Sequence, residues 1–224
     1  EQAKVYEATM MRLRQRVDSI VKEKGFERGR TEVLAAITQL REICCHPSLV
    51  LDDYTGTSGK LDMLLDMLPE AIAKGRRVLL FSAFTSMLKI LRRELDDAGY
   101  ETMYLDGDTP AQRRVEMAEQ FNAGQGQIFL ISLKAGGTGL NLTGADMVIH
   151  YDPWWNPAAE DQATDRAYRI GQTRKVEVIR LVTHASIEEQ VVALGQRKKA
   201  LFDQLIKPGA VSYTHLRAHE TKAN

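Results

Sequence analysis

Apolar positions near the start of the chain fall at helical spacing. Val5, Tyr6, Leu13, Val17, Ile20 and Val21 line one stripe, and a second helical pattern runs from Thr31 to about Cys44. The breaker-rich Lys24-Gly25-Phe26-Glu27-Arg28-Gly29 separates them, so this part reads as all-α. The segment Asp52 to Gly59 is polar and Gly-containing, which suits a surface linker and a sub-domain boundary. Beyond it, short apolar runs alternate with helical stretches. Val78–Phe81, Met103–Leu105, Ile128–Ile131, Met147–Ile149 and Val176–Val182 read as strands. Three of them are continuously apolar, as expected when helices cover both faces, which predicts an α/β fold with a parallel sheet.

Helix starts are marked by capping chemistry. Thr109-Pro110-Ala111-Gln112 puts a hydroxyl at the N-cap, Pro at N1 and Gln at N3; Ser186-Ile187-Glu188-Glu189 reads as a second capping box; Asn156-Pro157 is a third start.

Composition narrows the functional classes. Thirty basic and thirty acidic side chains cancel, so any nucleic-acid contact must be local rather than driven by a global field. No apolar run approaches the ~20 residues needed to span a bilayer. The first residues are too charged for a secretory signal, which predicts a cytoplasmic protein, nucleoid-associated in a bacterium or nuclear in a eukaryote. The chain lacks an initiator Met and opens inside a helical pattern, so it is expected to begin in mid-protein. Cys44 and Cys45 are adjacent, which suits a reduced, partly buried pair rather than the separated ligand pairs of a zinc site.

Two segments carry candidate chemistry. In Asp161 to Gln172, the residues Gln162, Arg166 and Arg169 stand at i, i+4 and i+7, so a continuous helix would project all three from one face. Two guanidiniums on a rigid face suit a phosphate chain, each offering a planar fork of donors and a permanent charge. Helical spacing alone favours a solvated face, with Asp161 and Asp165 as partners. The second segment, Ser132 to Leu142, follows a strand and holds Gly136, Gly137 and Gly139, which permit close approach of backbone to a ligand. G-x-x-x-x-G-K-[ST] is absent from the sequence, as is G-x-G-x-x-G.

Taken together the segments resemble the SWI/SNF-type ATPases of helicase superfamily two, from about Tyr6 to Ile206. Val78-Leu79-Leu80-Phe81-Ser82-Ala83-Phe84 is similar to motif IV, and Tyr104-Leu105-Asp106-Gly107-Asp108-Thr109 with Arg113 and Phe121 to the element after it. Ser132 to Asn141 resembles motif V, and Asp152-Pro153-Trp154-Trp155-Asn156-Pro157 resembles the family hallmark leading into motif VI at Gln162 to Gln172. Ala83 and Tyr168 depart from the polar residue and the His common there.

The resemblance implies a RecA-like parallel sheet with helices on both faces (residues 58–206), preceded by a helical connector (1–57). It implies that ATP and Mg²⁺ are held mainly by a separate N-terminal ATPase lobe, so that this chain alone is inactive. Arg166 and Arg169 become arginine fingers on the γ-phosphoryl group, with Gln162 positioning phosphates or attacking water. Gly136, Gly137, Gly139 and Asn141 become nucleotide-binding. Ser132, Lys134, Arg113 and Arg114 would face the phosphate backbone of double-stranded DNA, with a DNA-bound protein complex as a further partner. Trp154 and Trp155 read as packing where a strand ends, over base-stacking platforms. The other reading is a non-catalytic nucleotide- or DNA-binding α/β module, since fold alone does not dictate function. Residues 207–224 continue no earlier pattern and resemble translated adapter sequence; they are set aside as non-native.

Overall fold

The computed structural model describes residues 1–136 and 139–206. Helices α1 (Gln2–Lys24) and α2 (Phe26–Cys45) form a hairpin that turns on Gly25 alone, at φ +78° and ψ 162°, a region nearly closed to residues with a Cβ. The break is thus one residue rather than the six predicted. Gly29 lies inside α2 because its missing side chain lets the helices approach: a Cβ there would stand 3.3 Å from Cγ2 of Val21 and 3.4 Å from Cγ2 of Ile20. Tyr6, Leu13, Ala36, Leu40, Ile43 and Cys44 make the hairpin's own apolar cluster.

After a short 3-10 turn and a polar loop, Ser58 caps α3 (Gly59–Ala73), its Oγ accepting from the Leu61 amide at 3.3 Å. There follow β1 (Val78–Ser82), α4 (Thr85–Asp97), β2 (Thr102–Leu105), α5 (Ala111–Asn122), β3 (Ile128–Ser132), α6 (Leu133–Gly136), β4 (Met147–His150), α7 (Pro157–Thr164), β5 (Glu177–Arg180) and α8 (Ile187–Ile206). The strands form one parallel sheet in the order β2-β3-β1-β4-β5, with Val78 beside both Ile128 and Met147. All five strands fall where apolar runs predicted them.

Successive residues of the central strands feed opposite cores, which is why these strands are apolar throughout. Val78, Leu80, Ile128, Leu130, Met147 and Ile149 pack with α3 and α4, whereas Leu79, Phe81, Phe129, Ile131 and Val148 pack with α5, Leu133, Leu140, Leu142, Ala145 and Ala163. Each fully buried Leu or Phe contributes about 1.5–3 kcal/mol. The chain runs from β1 toward one edge, returns at β3 and crosses to β4 on the other side. The carboxyl ends of β1 and β3 therefore border the switch point where open α/β sheets bind ligands.

Two expected caps differ. α5 starts at Ala111 with Pro110 before it, because the Thr109 hydroxyl is drawn into the Asp106 turn, where Oγ1 accepts from the Asp106 amide at 3.2 Å. At α8 the Ser186 Oγ accepts from the Glu188 amide at 3.1 Å, but Glu189 turns to His184 and leaves the box open.

Buried polar groups join α3, α8 and the hairpin to the sheet. Lys60 Nζ donates to the Tyr151 carbonyl at 3.0 Å and to Glu188 Oε1 at 2.6 Å, both side chains being buried. Burial pulls the Lys60 ammonium down; Glu188, Cys45 and Asp152 together more than offset this and leave it above its ordinary pKa. Glu188 Oε2 accepts from the Thr183 amide at 2.8 Å, and the Ile187 amide donates to the Tyr6 hydroxyl at 2.8 Å. Cys44 and Cys45 are free thiols inside this joint, and burial pushes Cys44 up to about 11.

Candidate functional site

β3 delivers the glycine loop. Its last residue, Ser132, is 3 % exposed, and its Oγ accepts from the Ala135 amide at 3.3 Å, starting α6. That hydroxyl is buried and starts a helix, where the sequence placed it facing a phosphate backbone. Lys134, two residues on, is exposed. Gly136 ends α6, and Gly137 lies outside the described residues. Gly139 takes φ +78°, and a Cβ added there would meet nothing within 4 Å, so its glycine serves the backbone turn and leaves the loop open to a ligand. Leu140 and Leu142 plug the loop into the core. Asn141 is exposed, its carbonyl accepting from Asn122 Nδ2 at 2.9 Å, while Asn122 Oδ1 accepts from the Gly144 amide at 2.8 Å. Asn122, at the end of α5, thus pins both sides of the loop's exit.

The arginine segment comes from the other side of the switch point. The β4 exit passes Trp154 and Trp155 into α7, where Asn156 Oδ1 accepts from the Ala158 amide at 3.2 Å, the cap expected there. Buried Glu160 accepts from the Trp154 amide and from Arg180 Nε, each at 2.7 Å, fixing α7 against β5. α7 ends at Thr164 rather than running on to Gln172. Its continuation is drawn off by tertiary bonds: the Leu142 amide donates to the Arg166 carbonyl at 3.0 Å. Gln172 Nε2 donates to the carbonyls of Ala145 at 2.7 Å, Ala167 at 3.1 Å and Thr143 at 3.2 Å. Gly171 at φ +107° completes the turn.

Gln162, Arg166 and Arg169 consequently do not share a helix face. Gln162 is exposed on α7, Arg166 is 4 % exposed beneath the turn, and Arg169 is exposed on its rim. The segments nevertheless meet, since Arg169 Nη1 donates to the Gly139 carbonyl at 3.0 Å. Burial, and then the Arg169 charge, hold the Arg166 guanidinium below its ordinary pKa, against the pull of Asp165. Repulsion between two cations is relieved by a nearby anion.

Of the remaining candidates, Arg113 is exposed and pairs with Glu116 at 3.2 Å. Arg114 donates to the carbonyls of Thr109 at 2.7 Å and Gly107 at 2.8 Å, which ties part of its guanidinium to the start of α5. The exposed cations here suit an anion. Among the described residues no cluster of three or more His, Cys, Asp or Glu is placed to hold a metal ion, and no helix is long and apolar enough to cross a membrane. Two positioning residues escaped the sequence reading. Gln172 stood in a motif but was given no role, and Asn122 carried no signal beyond a polar residue at a helix end.

Comparison with known proteins agrees with this architecture. Residues 59–171 match the helicase conserved C-terminal domain. The chain is 38 % identical over 213 residues to YwqA of Bacillus subtilis, covering 92 % of this chain and 23 % of that protein. It is 36 % identical over 221 residues to the ISWI chromatin-remodeling complex ATPase ISW1 of Saccharomyces cerevisiae, covering 93 % of this chain and 19 % of that one. The chain thus spans about a fifth of the length of these relatives. The Sulfolobus solfataricus SWI2/SNF2 ATPase core, solved with double-stranded DNA, superposes with a TM-score of 0.75 at 33 % identity, over 92 % of this chain and 43 % of that one. The parallel sheet is accordingly RecA-like, and the chain belongs to the SWI/SNF-type ATPases, of which it forms the C-terminal helicase lobe.

Proposed function

We propose that this lobe completes the ATPase site of a double-stranded DNA translocase by closing on a first lobe that holds ATP and Mg²⁺. The observation that carries the reading is the Arg169–Gly139 contact, which brings the arginine turn and the glycine loop together at the carboxyl edge of the sheet. On lobe closure Arg169, exposed on the rim, meets the γ-phosphoryl oxygens; Arg166 supports it from beneath; Gln162 orients phosphates or water. Such guanidinium contacts supply about 10³–10⁵ in rate in comparable phosphoryl-transfer enzymes. Gly136, Gly137, Gly139 and Asn141 follow the nucleotide through the loop. Lys134 and Arg113 provide sequence-independent contacts to the DNA backbone, in keeping with the DNA-bound state of the Sulfolobus relative. A DNA-bound protein complex is the proposed target, as for the chromatin-remodelling relative.

With no phosphate-cradling Lys motif in its sequence, the chain by itself turns over no ATP. The deciding experiment is Arg169→Ala in the two-lobe enzyme. DNA-stimulated hydrolysis should be lost while ATP and DNA binding persist, as for an interaction made chiefly in the transition state. Turnover at the parental level would overturn the finger assignment and favour a non-catalytic binding module.

A further inference from the structure

Arg41, on α2, lies far from the glycine loop in sequence, yet it is 1 % exposed and engages both strand exits that border the site. Its guanidinium sits 5.1 Å from the ring centroid of Phe84 and 5.2 Å from those of Trp154 and Trp155. Nη2 donates to the Pro153 carbonyl at 2.7 Å and to Asp152 Oδ2 at 3.3 Å. The Asp152 carboxylate also accepts from the Ser82 hydroxyl and, at 3.2 Å, from the Ala83 amide. One cation from the helical hairpin therefore gathers the exit of β1 and the exit of β4, and the second exit leads directly into α7 and the arginine turn.

Stability alone is a poor account of this arrangement. Arg41 Nε is buried with no hydrogen-bond partner, which carries a cost. Apolar residues of matching volume commonly replace a buried ion pair with no loss. What a guanidinium supplies and an apolar group does not is geometry: a rigid plane that orders rings around it while its donors fix a carboxylate and a carbonyl.

We propose that Arg41 is a positioning residue, which clamps the Asp152 to Trp155 turn against Phe84 and so sets the angle at which α7 presents the Arg166 and Arg169 turn. Through it the α1–α2 hairpin is mechanically tied to that turn. The consequence for turnover rests on the function proposed above; the clamp itself does not.

Trp154 and Trp155 are the chain's two tryptophans, so intrinsic fluorescence reports the clamp directly. Arg41→Lys keeps the charge and loses the plane. Arg41→Met combined with Asp152→Asn removes both charges of this pair and leaves neither buried without its partner, so it should keep the fold. Both should give red-shifted emission, stronger acrylamide quenching and faster amide exchange across residues 156–172, with β1 and β3 as protected as in the parent. In the two-lobe enzyme kcat should fall about tenfold or more at unchanged KM for ATP, as for a misplaced catalytic group. Parental emission and exchange in the double variant would overturn the clamp. Altered exchange with parental kcat, in an enzyme that Arg169→Ala inactivates, would overturn its role in presenting the turn. If Arg169→Ala leaves turnover intact, the finger reading fails by itself, and exchange across 156–172 still decides whether Arg41 holds the turn.

Discussion

Arg169 Nη1 lies 3.0 Å from the carbonyl of Gly139, a residue thirty positions earlier in the chain. That bond takes one of the guanidinium's five donors and leaves the rest of the fork at an exposed rim. The carbonyl it meets belongs to a residue at positive φ, so the orientation of this acceptor depends on a backbone state that glycine adopts freely. Loop conformation and arginine position are thus set together.

Gly139→Ala should separate backbone strain from contact. Nothing lies within 4 Å of the added Cβ, so the cost comes from the left-handed backbone alone, about 1–2 kcal/mol. Arg169→Ala, at an exposed position, should change stability by about 0.5 kcal/mol or less. Urea unfolding of both variants checks the order, and equal stability in Gly139→Ala and the parent would show that the loop turns elsewhere. In the two-lobe enzyme Arg169→Lys should restore little turnover, since an ammonium lacks the fork.

His150 should give the fold a component of acid sensitivity. It stacks on Phe81 with ring centroids 5.5 Å apart, and Nε2 lies 2.9 Å from Thr164 Oγ1. Burial, and then the Arg180 charge, lower its pKa from 6.5 to about 3. The unfolded chain takes up the proton below about pH 6.5 and the folded chain does not until about pH 3, so stability falls as pH drops through that window. His150→Gln should shrink the loss measured by urea unfolding between about pH 7 and about pH 4.5. An unchanged loss would assign the sensitivity to other groups.

Much of the fold was legible because its signals are local. A strand buried on both faces must be apolar at every position, and Val78 to Phe81 and Ile128 to Ile131 announced themselves on that ground. Asn156-Pro157 worked as a start signal because its cap closes within two residues. The end of α7 was not legible, because i, i+4 spacing continues through Arg166 and Arg169 while the bonds that stop the helix come from Leu142 and Gln172. Ser132 and Arg114 show the same limit. Each is a polar residue beside a loop, and only the fold reveals its bonds to Ala135, or to Thr109 and Gly107. Family resemblance picked out the two site segments, but could not show that Arg166 lies beneath the turn and Arg169 on its rim.

The exit of the glycine loop should tolerate little change. A Cβ at Gly144 would stand 2.9 Å from Cα of Asn122, an atom that cannot swing aside, and 3.0 Å from Nη1 of Arg77. Gly144→Ala should therefore cost about 1–3 kcal/mol through overpacking. Asn122→Ala removes two hydrogen bonds at a solvent-accessible edge, each worth about 0.5–1.5 kcal/mol. Asn122→Asp keeps the acceptor for the Gly144 amide and loses the donor to Asn141, so it should fall between parent and Ala. Thermal unfolding ranks the three, and a neutral Gly144→Ala would show that α5 and the loop are not in contact.

The Lys60–Glu188 pair offers the sharpest test of how the hairpin, α3 and α8 are joined. Its side chains are 5 % and 0 % exposed, and the Nζ–Oε1 distance is 2.6 Å. Lys60→Met leaves the Glu188 carboxylate buried without its counter-charge and should cost about 3–5 kcal/mol. Adding Glu188→Gln removes that charge while keeping a side-chain oxygen for the Thr183 amide, so the double variant should recover most of the loss. The recovery distinguishes an electrostatic penalty from lost packing, since both variants carry the same Lys60→Met change. Urea unfolding of the parent, the two single variants and the double variant closes the cycle, and the coupling should be large because the residues share one bond. If the double variant is no more stable than Lys60→Met, the pair contributes volume and the Tyr151 carbonyl contact rather than charge balance.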